Sequence, residues 1–363
     1  ALATAGVPVS HDVVISGDKL GNDTPVDGTF VTDVDASLAA NAGLLDDNSR
    51  VINISAAGGE FTLKGLTITG GRTTVSEEEG GGLRVGSGLL TLEQSTVSGN
   101  STGGASAHGG GIYKGFGVLR LRSSTISGNR SQADGGGGIF SVYGAVMINN
   151  STVTGNSSTK DGGGLYVPNT NGNPLITIQN SIVAGNMASG QGPDLRLDFG
   201  SPLDIDYSLI GDTSGTSVGA STGTGNLLNV NPMLGPLANN GGPTQTHVLL
   251  HGSPAINAGD PSFAGPPNFD QRGASFARVR GGRIDMGALE FLTAPPQGLV
   301  VSTTSDLVDG DFSVGQFSLR EAIIVANNTI GADTITFDSS VFTGVGSASV
   351  IRLSGSELVI TEA

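Results

Sequence analysis

Apolar residues recur along this chain at one short and one long spacing. The short spacing is two. Phe61-Thr62-Leu63, Leu90-Thr91-Leu92, Leu119-Arg120-Leu121, Val146-Met147-Ile148 and Ile176-Thr177-Ile178 each set two apolar residues around a middle one. That alternation predicts short strands with one buried face. The long spacing links the strands. Three residues after each pair begins a second motif, diverged at 66–71 (LTITGG) and then regular at 95–100 (STVSGN), 124–129 (STISGN), 151–156 (STVTGN) and 181–186 (SIVAGN). Its asparagines, Asn100, Asn129, Asn156 and Asn186, are 29, 27 and 30 residues apart. A glycine triplet with an apolar residue behind it, at 80–83, 109–112, 136–139 and 162–165, marks the same turns.

A repeat of this length, built from strands, predicts a solenoid whose turns bury their apolar sides against one another. No stripe at i, i+3, i+4 runs through the repeat, and so much glycine would be costly in helices. The expected fold is all-β: a right-handed parallel β-helix of 27–30 residues per turn, with about three short strands per turn. Two columns read as structural. The Asn column is expected at a tight corner, tolerating left-handed backbone and bonding along the stack. Lys64, Glu93, Arg122, Asn149 and Gln179 form an outward column of mixed charge, suited to neighbours on adjacent strands.

The pattern divides the chain into three. Residues 1–190 read as β-helix coils. In 191–297 the repeat dissolves into irregular, Pro/Gly-rich coils and a cap, expected to lie over the last coils because regular sheet tolerates proline poorly. Residues 298–363 carry the best helix, near 318–327. There Ser318 and Glu321 make a capping box, and Leu319, Ala322, Ile323 and Ala326 make one apolar stripe. Strands are expected to resume at 333–337 and 349–353.

Composition changes the picture in a few places. A net charge of −15 disfavours nucleic acid and anionic membranes as partners. No apolar run approaches the roughly 20 residues of a membrane span. With no cysteine there is no thiol chemistry. The 13% of charged residues is too few for a solvated coil.

Candidate chemistry is sparse. Arg84, Tyr113, Phe140 and Tyr166 follow the glycine triplets and alternate with the apolar Leu83, Ile112, Ile139 and Leu165, so they are expected to face outward. Stacked rings ending on an arginine would suit sugar rings; as strand neighbours, or under a glycine-rich loop, they would be structural. Glycoside hydrolysis needs two carboxylates about 5–10 Å apart, and the acids of the coils sit in loops instead, as Glu77, Glu78, Glu79, Asp134 and Asp161. His108 is a lone histidine, expected to face solvent. Calcium is the one cofactor the acids suggest, through Asp306, Asp309 and Asp311 or through Asp204 and Asp206, although neither set matches a known calcium loop. Asp270, Arg272, Asp285 and Glu290 read as an ion-paired cluster holding the cap rather than as an active pair.

Three stretches resemble known bacterial patterns. The GGG-[IL] and S-x-[IV]-x-G-N repeats resemble right-handed parallel β-helix surface proteins, including polymorphic outer-membrane protein repeats. Residues 231–290 (NPMLGPLANNGGPT, GSPAINAGDP, DQRG, RIDMGALE) resemble the choice-of-anchor Q region of secreted bacterial proteins. Residues 317–327 (FSLREAIIVAN) resemble the CSLREA domain, with Phe317 where that pattern has cysteine, so no thiol role carries over. The resemblance implies an extracellular, surface-displayed protein with no established activity. In such proteins the CSLREA segment precedes the β-helix, which suggests one unit of a head-to-tail array in which 298–363 caps the next unit. The expected function is a structural repeat module whose partners are copies of itself; the alternative is a carbohydrate-binding or polysaccharide-degrading β-helix.

Overall fold

The computed structural model describes residues 13–16, 24–26 and 29–31 at the level of the backbone, and 50–55, 58–168, 175–198, 202–216, 223–250, 252–274, 276–280, 282–291, 298–306, 315–327, 333–343, 349–353, 357–358 and 360 in full. The chain is a parallel β-solenoid, consistent with a right-handed β-helix. Four parallel sheets run along it, one strand per turn in each.

The sheet behind the glycine triplets, here the triplet wall, has six strands from Ile52–Ile54 to Leu195–Leu197. The back wall holds the paired apolar residues, from Glu60–Lys64 to Leu203–Asp206. The signature wall has eight strands, from Val13–Ser16 to Leu227–Leu228. The fourth sheet was not anticipated. Five two-residue strands, from Arg72–Thr73 to Met187–Ala188, follow the Asn corner and form a corner wall. They are too short to show an alternation, which is why the pattern suggested three strands per turn.

Register is the one the columns predict. Leu90 pairs with Leu119, Leu119 with Val146, and Val146 with Ile176. The inward Leu, Ile and Val residues of the middle turns are fully buried, in one continuous core. The outward charged column is also as expected: Lys64 and Glu93 pair at 2.6 Å, and Asn149 donates to Gln179 at 3.0 Å.

The Asn column differs in one respect. The left-handed residue is the preceding glycine (Gly128 has φ +64°), which turns the chain so that the amide points inward. Each Asn then donates through its backbone N–H and its Nδ2 to the Oδ1 of the next, from Asn100 to Asn129, Asn156 and Asn186. The ladder starts at the Gly71 N–H and stops at Asp194, an acceptor-only carboxylate. Burial pushes the Asp194 carboxyl up to about 6, against bonds from Asn186 and Asp212 that favour its charge. A parallel ladder of hydroxyls accepts the backbone N–H of the preceding turn, through Ser95, Ser124, Ser151, Ser181 and Ser208.

Residues 231–291 pack on the last coils, as expected, but reach well beyond them. They lie lengthwise along the outer face of the signature wall, as a clamp. The face they cover is a row of hydroxyls that turns apolar in the last turns: Thr96, Thr125, Thr152, Ile182, Leu209. Thr96 donates to the Gln245 carbonyl, Thr125 to Gln271 Oε1, and Ala288 N–H to Thr152. Ile182 and Leu209 pack with Leu249, Ala255 and Met286 of the clamp. Its only regular element among the described residues is an antiparallel hairpin, Leu234–Ala238 with Thr246–Leu249.

Residues 298–353 gather a small core of their own around Val301, Phe317, Ala322 and Val325. The helix runs Leu319–Ala326 with both bonds of the Ser318–Glu321 capping box present. Of the two strands expected there, Thr336–Phe337 forms and pairs with Val300–Val301, whereas 349–353 is irregular.

Candidate functional site

The column after the glycine triplets is in register: Asn53, Arg84, Tyr113, Phe140, Tyr166 and Arg196 are strand neighbours on the triplet wall. It is not an open platform. Phe140 is only 3% exposed. The triplet glycines fold back over it so closely that a Cβ at Gly136 would lie 2.6 Å from the Phe140 Cβ, and Gly136 itself has φ +74°. His108, expected in solvent, stacks on Phe140 at 4.1 Å between ring centroids and is held below its usual range by burial. Tyr113 also stacks on Phe140, at 5.9 Å, and Tyr166 meets it edge-on at 5.2 Å. Asn53 is exposed at the column's end, and Tyr113, Tyr166 and the two arginines keep part of their surface.

Charged groups line the rest of this wall. Arg84 pairs with Glu79 at 3.1 Å and lies 5.8 Å from the Tyr113 ring centroid. Asp134 faces Lys160 at 3.4 Å and His108 at 4.0 Å. Tyr166 donates to Asp198 at 3.2 Å, and Asp198 pairs with Arg196 at 2.8 Å. Burial, then the Asp198 charge and hydrogen bond, push the Tyr166 hydroxyl up to about 12. These groups neutralise one another in pairs. The arrangement presents paired charges along the rim of this wall.

The second titratable cluster, in the clamp, is dry. Arg272 binds Asp270 through Nε and Nη2 and donates to the Glu290 carbonyl; its guanidinium lies 4.0 Å from the Phe276 ring centroid. Arg278 donates to the carbonyls of Gly287 and Asp285 and stands 3.5 Å from Glu290. Burial pushes the Glu290 carboxyl up to about 9, with Arg278 opposing and Asp285 adding to the rise. The 3.5 Å approach to Arg278 would favour a carboxylate. Both carboxyl oxygens also accept the Asp285 N–H, which likewise favours the charge, so the rise comes from burial and from the neighbouring acids Asp285 and Asp270. All five side chains are buried, so the cluster fixes the clamp, as the sequence suggested. A nearby cavity of about 10 Å3, lined by Leu249, Arg272, Glu290 and Val325, has room for one water.

One pairing was invisible in the sequence. Ser127 Oγ and His247 Nε2 are 2.8 Å apart across 120 residues, and His247 Nδ1–H donates to the Gly235 carbonyl. That geometry resembles an activated hydroxyl. Ser127 is buried under the hairpin, however, and the pair latches clamp to wall.

Sequence reasoning also missed two other groups. Phe116 and Tyr143, at the corners between triplet and back walls, stack at 4.7 Å and are 58% and 43% exposed. The signal was present: each follows a column ring by three residues (Tyr113, Phe140). Lys114 points into the solenoid, fully buried, where the other turns have Val85, Ser141, Val167 and Leu197. Its ammonium donates to the Gly88 and Phe116 carbonyls, and burial lowers it to about 8.

Of the calcium candidates, Asp306 pairs with Arg320 at 2.9 Å, while Asp309 and Asp311 lie outside the described residues. Asp206 accepts the Thr224 N–H. No family model matches this chain, and no match is found among curated proteins or solved structures. The resemblances of 231–290 and 317–327 therefore rest on their motifs alone.

Proposed function

We propose that this chain is a structural, extracellular repeat module of a bacterial surface or filament-forming protein, with units arranged head to tail. The observation that carries this reading is how the solenoid uses its residues. The core, two side-chain ladders and the outer face of one wall are all committed to stacking and to the clamp. The core is dry in the middle turns, while Val51, Ile52, Phe61 and Leu63 at one end and Leu197, Leu203 and Leu228 at the other are only partly buried. Terminal turns of a solenoid expose core and unpaired strand edges, and another copy can cover both. The surface resemblances agree with this, and among the described residues no helix is long and apolar enough to cross a membrane.

Native mass measurement with electron microscopy tests it. Elongated particles in multiples of one unit are expected, growing longer with salt because the net charge of −15 opposes contact. A species of one unit at every concentration and ionic strength overturns head-to-tail assembly. A second reading, binding of carbohydrate without its degradation, is favoured by the partly exposed Tyr113 and Tyr166 beside paired charges on the triplet wall.

A further inference from the structure

The side of the solenoid between triplet and back walls differs from the rest of its surface. Three of the chain's four tyrosines, Tyr113, Tyr143 and Tyr166, lie on or beside it. Phe116 and Tyr143 protrude from the corners of two successive turns, with glycines at 115, 117 and 144 leaving the rings clear of neighbouring side chains. The preceding turn has Ser87 at the same place, in register through the Phe116 N–H to Gly86 carbonyl bond.

These two corners are also the ones pinned from inside. Beneath Phe116, the buried Lys114 ammonium binds the carbonyls of Phe116 and Gly88. Beneath Tyr143, the buried Ser141 hydroxyl donates to the Gly144 carbonyl. The turn that carries Ser87 has Val85 at the inward position, with no such pin. A buried lysine without a carboxylate partner weakens a fold, and valine would fill the position without that cost. The polar pins therefore coincide with the exposed rings and hold their backbone rigid.

We propose that the Phe116–Tyr143 corner is a binding site for a neutral polysaccharide. Rings at 4.7 Å and 10° to each other are offset-stacked, so each keeps a free edge and part of a face for the C–H face of a sugar. Polar groups for its hydroxyls stand alongside. Tyr113 stands three residues before Phe116 on the same turn, with Arg84 5.8 Å from its ring centroid and Glu79 3.1 Å from Arg84. The ligand is neutral because an acidic chain would meet a protein of charge −15. A protein partner fits less well. The two rings expose roughly 200 Å2 together, and even with Leu175 one turn on this stays far below the ~800 Å2 per partner of a stable protein interface. The site is independent of assembly, since it lies on the flank and not on an end.

Affinity electrophoresis of the full chain through gels holding hydroxyethyl cellulose, soluble starch or polygalacturonate tests this. Retardation by at least one of the two neutral polymers is expected, weakened about tenfold or more by Phe116→Ala with Tyr143→Ala. The melting temperature should fall by only a few degrees, the loss of one partly exposed stacked pair. Val75→Ala, an exposed apolar residue elsewhere, should retain full retardation. Lys114→Met should fold with equal or higher stability yet bind more weakly, a split that a purely structural lysine would not produce. Retardation by neither neutral polymer, retardation by polygalacturonate alone, or undiminished retardation of the double variant overturns the proposal. So does a double variant that alters only the sedimenting species, which would make the corner a protein contact.

Discussion

The regular coils and the clamp that lies along them are stabilised in opposite ways. In residues 80–187 the same small interaction is repeated at every turn: an inward Leu, Ile or Val, an Asn amide, a serine hydroxyl. In 231–291 little repeats, and one dry cluster of two arginines and three acids ties distant stretches together. The coil has many interchangeable contributions, each felt mainly by its neighbours. The clamp depends on a few residues, each with several partners.

The sharpest test of this contrast is Asp270→Ala. It leaves Arg272 buried without its counter-charge and removes the acceptor for the Glu290 N–H, at a cost of about 3–5 kcal/mol. Hydrogen exchange should show the clamp opening while the amides of 96–98 and 125–127 keep their ladder protection. Loss of the coil together with the clamp would mean that the two form a single cooperative unit.

Next in size is Asn129→Ala in the coil. It orphans the Asn100 backbone N–H, takes one of the acceptors of Asn100 Nδ2 and removes the Nδ2 donor to Asn156, whose Oδ1 keeps the backbone N–H of residue 129, for about 2–3 kcal/mol. Denaturant unfolding should register the loss, and exchange should be raised only in the turns around 100 and 156. A uniform rise along the whole chain would refute the nearest-neighbour account.

Alkali should separate the regions by sign. The Glu290 carboxyl is raised in the fold, from 4.5 to about 9, so the clamp is most stable below about pH 4.5 and weakens as pH rises towards 9. The slope is at most about 1.4 kcal/mol per pH unit. Lys114 is lowered in the fold, from 10.5 to about 8, so its turn gains stability as pH rises between those values. Glu290→Gln should flatten the first trend, and Lys114→Met the second, each read by local exchange. The smallest effect should come from Thr125→Val, which breaks one hydroxyl bond to Gln271 for about 1 kcal/mol and loosens the clamp without touching the core.

Much of the coil was legible because solenoid contacts are local in sequence. Leu92 meets Leu121 because they are one period apart, and whatever recurs at that period must stack. The Asn ladder followed from the same logic; its inward aim did not, because the residue that sets it is the glycine before. The clamp's path was hidden for a different reason. Gln271 meets Thr125 across 146 residues, and no periodicity relates them. A weak trace existed in the outward Thr96, Thr125, Thr152, Ile182, Leu209 series, whose hydroxyls and aliphatics match the face lying on them.

The triplet-wall column makes the same point at the candidate site. Alternation placed Arg84, Tyr113, Phe140 and Tyr166 on the outer face, and they are on it. Facing outward is not being exposed, however, and the glycine loop over Phe140 moved the free ring surface to Phe116 and Tyr143.

From its sequence alone this protein is a parallel β-solenoid with known inward columns, because a strand's faces and a solenoid's neighbours are set by spacings of two and of one turn. Which outward surface meets solvent, where the clamp lies, and that Lys114 props a ring-bearing corner from within were decided only in three dimensions. Those features depend on loops closing over walls and on contacts between residues that no repeat connects.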